Sequence, residues 1–137
     1  VDIDLMPAVS FVESSNNPKA FNKKSKARGL YQITPIVLKE WNNYNPDENY
    51  DKEDLFDSEV NTRIASWYLN ERIPQMLTYY KKPINLDNVL TSYNAGIDYV
   101  VKDRKLPSET VDYIRKVNSY LKDNYAKKGL LELLGVR

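Results

Sequence analysis

The chain has 137 residues, room for one core and little more, and its 42% hydrophobic and 28% charged residues with only four glycines exclude low-complexity disorder. Twenty Lys and Arg against nineteen Asp and Glu leave a net charge of +1, so no overall basic excess points to nucleic acid. Cysteine and histidine are both absent, which excludes disulfides, Ser-His and Cys-His nucleophiles and most zinc sites, and leaves acid and base chemistry to Asp, Glu, Lys or Tyr.

The first helical stripe, Leu5, Ala8, Val9 and Val12, follows Asp4, read as its N-cap, with Pro7 tolerated in the first turn. Asn16-Asn17-Pro18 stops this helix near Ser15, which puts Glu13 in its last turn. Residues 16–28 form a polar, lysine-rich connection, and Gly29-Leu30-Tyr31-Gln32-Ile33 reads as a short extended piece entered through the glycine. Thr34-Pro35 starts a helix anchored by Ile36, Leu38 and Trp41 and ended by Asn45-Pro46. Asp57 caps the next, with a stripe of Val60, Ile64, Trp67 and Tyr68 that Pro74 interrupts or restarts.

Asp87 opens a short helix through Val89, Leu90 and Tyr93, broken at Asn94-Ala95-Gly96, and another runs through Tyr99 and Val100. Pro107-Ser108 caps a long helix carrying Val111, Ile114, Val117 and Leu121, with Gly129 as its terminator. The tail Leu130, Leu131, Leu133 and Leu134 either packs on the core, which is the expected outcome in so small a domain, or docks elsewhere. With no sustained strand alternation the expected fold is all-α, with at most a minimal strand element, in one domain over 1–137. No apolar run nears the roughly twenty residues of a membrane span. No signal peptide precedes Val1, and an upstream segment is expected to have been removed or left out.

Taken by itself, Glu13 reads as a solvated helix-end glutamate; a helix C-terminus and any burial would both favour its protonated form, which a general acid requires. Its surroundings change that reading. Glu13-Ser14-Ser15-Asn16-Asn17-Pro18 followed by Gly29-Leu30-Tyr31-Gln32 resembles the opening motifs of the soluble lytic transglycosylase family, within the goose-type lysozyme-like superfamily, with Tyr31 where that family usually has Met. Asn61-Thr62-Arg63-Ile64-Ala65 with Tyr68-Leu69, then Ser92-Tyr93-Asn94-Ala95-Gly96, then Pro107-Ser108-Glu109-Thr110-Val111-Asp112-Tyr113, are similar to three further family blocks in the same order. The resemblance covers about residues 4–118, leaving 119–137 as the C-terminal helix and apolar tail.

The resemblance implies a lysozyme-like domain with a substrate cleft that takes a peptidoglycan strand at the cell envelope, periplasmic, secreted or virion-associated. It implies cleavage of the MurNAc-GlcNAc β-1,4 bond to a 1,6-anhydro product with one carboxyl group and the substrate's own acetamide, and without cofactor or metal. By the same resemblance Glu13 is the catalytic acid and base and Tyr113 supports it. Gln32 lines the cleft, Tyr31 and Tyr93 offer faces or hydroxyls to sugar or belong to the core, and Asn94 and Gly96 lie in the loop closing one side. The serine that contacts the acetamide in the family falls on Asn22 here; because this connection is one residue longer, Ser25 is the alternative. Two other readings stand beside this one: a goose-type lysozyme-like hydrolase, whose second carboxylate could be Asp98, Asp103 or Asp112, and a non-catalytic peptidoglycan-binding module of a larger assembly such as a phage tail or secretion apparatus.

Overall fold

The structure, a computed structural model, describes residues 4–135. It is all-α: α1 (Met6–Ser14), α2 (Pro35–Tyr44), α3 (Ser58–Trp67), α4 (Ile73–Tyr79), α5 (Leu86–Asn94), α6 (Ile97–Val101) and α7 (Ser108–Leu133), with a 3-10 turn at Lys52–Phe56 and a π turn at Tyr68–Arg72. Among the described residues the only β pairing is two isolated bridges, Phe21 with Arg28 and Arg28 with Ile33. No described helix is long and apolar enough to cross a membrane.

Most helix ends form as local chemistry dictates. Thr34 accepts from the Val37 amide ahead of Pro35, and Asp57 accepts from Glu59 and Val60 at 2.9 and 3.3 Å. Ser15 closes α1 with φ 54°, in the left-handed region. Asp4 is one position early: Leu5 holds the N-cap place, though the Asp4 carboxylate still accepts from the Met6 amide at 3.0 Å. The cap of α5 is Asn85 rather than Asp87, which lies in the first turn where its charge complements the helix dipole. Pro74 restarts the helix, standing in the first turn of α4 after α3 has ended at Trp67. It cannot donate to the carbonyl four residues back, and the helix widens into the π turn just before it, with the Ile73 amide reaching Tyr68.

Three expectations are overturned. The 29–33 segment is a tight turn and not an extended piece: Gly29 and Gln32 both have positive φ (81° and 52°), and Arg28 and Ile33 bond to each other across it at 3.0 Å. Gly129 does not end α7, which runs 26 residues, about 39 Å. Gly135, with φ 71°, follows its end instead. That rod carries the leucines away from the core. Leu130, Leu131, Leu133 and Leu134 are exposed, as is every described residue of known burial after Leu121.

The core itself joins Ala8 and Val9 of α1, Leu38 and Trp41 of α2, Ile64 and Ala65 of α3, Ile73 and Leu77 of α4, Val89 and Leu90 of α5, and Tyr113, Val117 and Leu121 of α7. The last three line one face of α7 at spacings of four, so that α1 and α5 pack along its first half only.

Candidate active site

A cleft of about 450 Å³ opens between the end of α1, the 22–34 connection, the start of α2, and the facing ends of α5 and α7. Glu13 stands in its wall. Around it are Asn22, Lys24, Ser25, Gln32, Tyr68, Tyr93, Asn94 and Glu109.

The 28–33 turn that presents Gln32 is clamped by three helices. From α1, Ser14 Oγ donates to the Leu30 carbonyl at 2.7 Å, so the residue after Glu13 ties the catalytic candidate to the turn. From α3, the buried Asn61 accepts from the Tyr31 amide at 2.9 Å and donates to the Arg28 and Leu55 carbonyls, each at 2.8 Å. From α5, the Tyr93 hydroxyl donates to the Tyr31 carbonyl at 2.5 Å. Gly29 makes the clamp possible: a Cβ there would overlap the Leu55 carbonyl oxygen and the Asn61 amide, reaching 2.8 Å from Asn61 Cγ. Every polar group in this set is bonded inside the protein, so the turn is rigid before any ligand arrives.

Within that frame Gln32 has one free function. Its Nε2 donates to the carbonyls of Ala20 (3.2 Å) and Gly29 (3.0 Å), which fixes the amide orientation and spends both hydrogens. Only Oε1 remains, as an acceptor. Asn22 Oδ1 accepts from the Lys24 and Ser25 amides, so its carbonyl side is spent on its own loop. The Ser25 Oγ accepts from the Ala27 amide at 3.2 Å and keeps its proton to give. Both residues border the cleft.

Tyr113 lies beneath it, buried in the core, with a hydroxyl that makes no hydrogen bond of good geometry yet is close enough to Glu13 for each to perturb the other. Burial pushes the Glu13 carboxyl up to about 8; Tyr113 opposes the rise and the negative charge of Glu109 adds to it. Burial likewise raises the Tyr93 and Tyr113 phenols well above their ordinary value, with the Glu13 charge next in importance for both, so each remains a proton donor at neutral pH.

Tyr31 is not a cleft residue. Its ring is buried in the core, and its main chain serves the clamp. Tyr93 borders the cleft with its hydroxyl already committed, which leaves its face. Asn94 Oδ1 accepts from Thr110 Oγ1 at 2.8 Å, joining the end of α5 to the start of α7 and leaving the Asn94 amide hydrogens for the cleft. Gly96 meets no neighbour that a Cβ would touch; with φ 106° it is there for the turn. Of the acids considered as a second carboxylate, Asp98 lies 3.7 Å from Lys102 and Asp112 2.8 Å from Arg115, while Asp103 borders a separate depression with Arg104 and Tyr99. The second carboxyl residue in the cleft wall is Glu109, which is visible in the sequence only as a motif letter.

A family model, the transglycosylase SLT domain, matches residues 1–115, a span that holds all of these cleft residues. Comparison with curated proteins and with solved structures finds no match. The ordered motifs, the all-α frame and the cleft built around Glu13 agree with that match, and the chain belongs to the transglycosylase SLT domain family.

Proposed function

We propose that the chain is a peptidoglycan lytic transglycosylase in which Glu13 is the single acid and base. The observation that carries this reading is a glutamate lining a cleft whose burial pushes its carboxyl up to about 8, so that it holds its proton at neutral pH. Protonated Glu13 gives its proton to the glycosidic oxygen as that bond breaks, while the acetamide oxygen of the same MurNAc bonds to carbon 1 and forms an oxazolinium-like intermediate. The resulting carboxylate then removes the proton from the hydroxyl on carbon 6. Its oxygen attacks carbon 1, the acetamide leaves, and the 1,6-anhydro ring closes with Glu13 protonated again and no water consumed.

Other groups have roles consistent with their hydrogen bonds. Tyr113 steadies the Glu13 carboxylate between the two half-reactions, because a neighbouring phenol stabilises the charged form. Gln32 Oε1 accepts from a sugar hydroxyl or acetamide N–H, and Asn94 donates to an oxygen on the opposite side. Ser25, through its uncommitted hydroxyl proton, and Asn22, through its uncommitted Nδ2 hydrogens, are both able to hold the acetamide oxygen. Tyr93 supplies a flat face and Tyr31 supports the turn from below.

Glu109 favours a second reading, hydrolysis, since a carboxylate in the cleft could hold a water as the goose-type lysozyme-like scheme requires. Either chemistry depends on Glu13. Glu13→Gln keeps the shape and removes the titratable proton, and is expected to lower peptidoglycan turnover by about 100- to 10,000-fold, the usual worth of a general acid and base. Turnover at the wild-type rate by the folded variant would rule out both.

A further inference from the structure

The net charge of +1 conceals a segregation along the chain. From Ser14 to Lys39 there is no acid, and Lys19, Lys23, Lys24, Lys26 and Arg28 crowd into ten residues. From Glu40 to Glu59 there are eight acids against Lys52 and no other cation. These acids are in part occupied: Asp51, Asp54 and Asp57 cap turns and helices, Glu40 pairs with Arg72 at 2.6 Å and Glu48 with Arg63 at 3.4 Å. The four lysines of the connection are exposed, and none forms a salt bridge among the described residues.

Their loop is nonetheless ordered. The Asn22 amide donates to the Ala27 carbonyl at 3.0 Å, the Lys26 amide to Asn22 at 2.7 Å, and the Asn22 side chain holds the Lys24 and Ser25 amides between them. Phe21, half-exposed, lies under Arg28 and Lys26, 4.9 and 5.8 Å from ring centroid to cation. The backbone that carries these cations therefore follows a fixed course, and of the four lysines Lys24 borders the same space as Glu13. Fixed positive charge at the rim of a cleft raises the local concentration of anionic ligands.

Resting on the peptidoglycan reading above, we propose that Lys19, Lys23, Lys24 and Lys26 form a cationic rim that engages the carboxylates of the peptides attached to the glycan strand. With each MurNAc lactyl carboxyl tied up in its amide to the peptide, the sugar backbone offers nothing to these charges; the peptide carboxylates are the anions that such a strand carries at regular intervals past the cleft. The rim thus reads the charge of the peptides, while the cleft floor reads the sugars.

The test uses Glu13→Gln protein, which holds the strand without consuming it, sedimented with insoluble peptidoglycan. Adding Lys19→Gln, Lys23→Gln and Lys26→Gln, exposed residues outside the cleft wall, is expected to weaken binding about tenfold at about 0.1 M salt and to make no difference at about 1 M, where screening reaches about 3 Å. With peptidoglycan whose peptide carboxylates have been coupled to a neutral amine, the two proteins are expected to bind alike at both salt concentrations. Equal affinities on unmodified peptidoglycan at low salt would overturn the rim, as would a tenfold difference that survives neutralisation of the carboxylates. Binding by neither protein to either glycan would overturn the peptidoglycan reading itself.

Discussion

Glu13 is unfavourable to the folded state as a charge, and this has a measurable sign. Its folded pKa of about 8 exceeds the ordinary 4.5, so the folded protein binds the proton more tightly than the unfolded chain does. Stability from this group is complete below pH 4.5 and falls as pH rises towards 8. Glu13→Gln escapes that loss. After allowing for the side chain's partial exposure, the variant is expected to be more stable than wild type by about 2 kcal/mol at pH 8 and to lose that advantage near pH 4, read by chemical denaturation at both pH values. A variant less stable than wild type at pH 8 would mean that the carboxylate is favourably housed. On the proposed mechanism the same group sets the activity profile: kcat/KM is expected to fall as pH rises through about 8, and Glu109→Gln, by removing a neighbouring negative charge, to move that fall to lower pH. A limb unmoved by Glu109→Gln would assign it to another group.

At the scale of elements, the 28–33 turn matters most, because three helices converge on it. Asn61→Ala would strand the Tyr31 amide and take the Asn61 donor from the Leu55 carbonyl and from the Arg28 carbonyl, which keeps only the Ile33 amide, an expected loss of about 2–4 kcal/mol by denaturant melting. A loss below about 1 kcal/mol would show that the turn holds without its clamp. Truncation before Lys127 is expected to change stability by less than about 1 kcal/mol, since the described residues of known burial beyond that point are exposed. A larger drop would show that the leucine tail contributes to the core after all. The two elements also mark the boundary of what sequence reveals. Thr34, Asp57 and Ser15 were readable as caps because capping is decided within four residues. The turn was not, because the partner that bends it is Asn61, some thirty residues away. Gly129 misled for the converse reason: glycine permits a helix end without compelling one, and nothing nearby takes the chain out of the helix there.

For the molecule as a whole, the ordered motifs were sufficient for the family and for Glu13, Gln32 and Asn94 as neighbours, because motif order records which elements must meet. What order does not carry is side-chain direction. The sequence leaves Tyr31 open between sugar contact and core, and its ring is in the core; Glu109 is only a motif letter in the sequence and stands in the cleft, at the start of α7 where Thr110 joins Asn94 of α5. That second carboxylate makes the fate of the glycosyl intermediate the central question. Mass spectrometry of peptidoglycan digested by the wild-type protein in water enriched in oxygen-18 answers it directly: internal ring closure predicts 1,6-anhydroMurNAc ends with no heavy oxygen incorporated, whereas reducing MurNAc ends carrying the label would contradict the transglycosylase mechanism and assign Glu109 to a hydrolytic one.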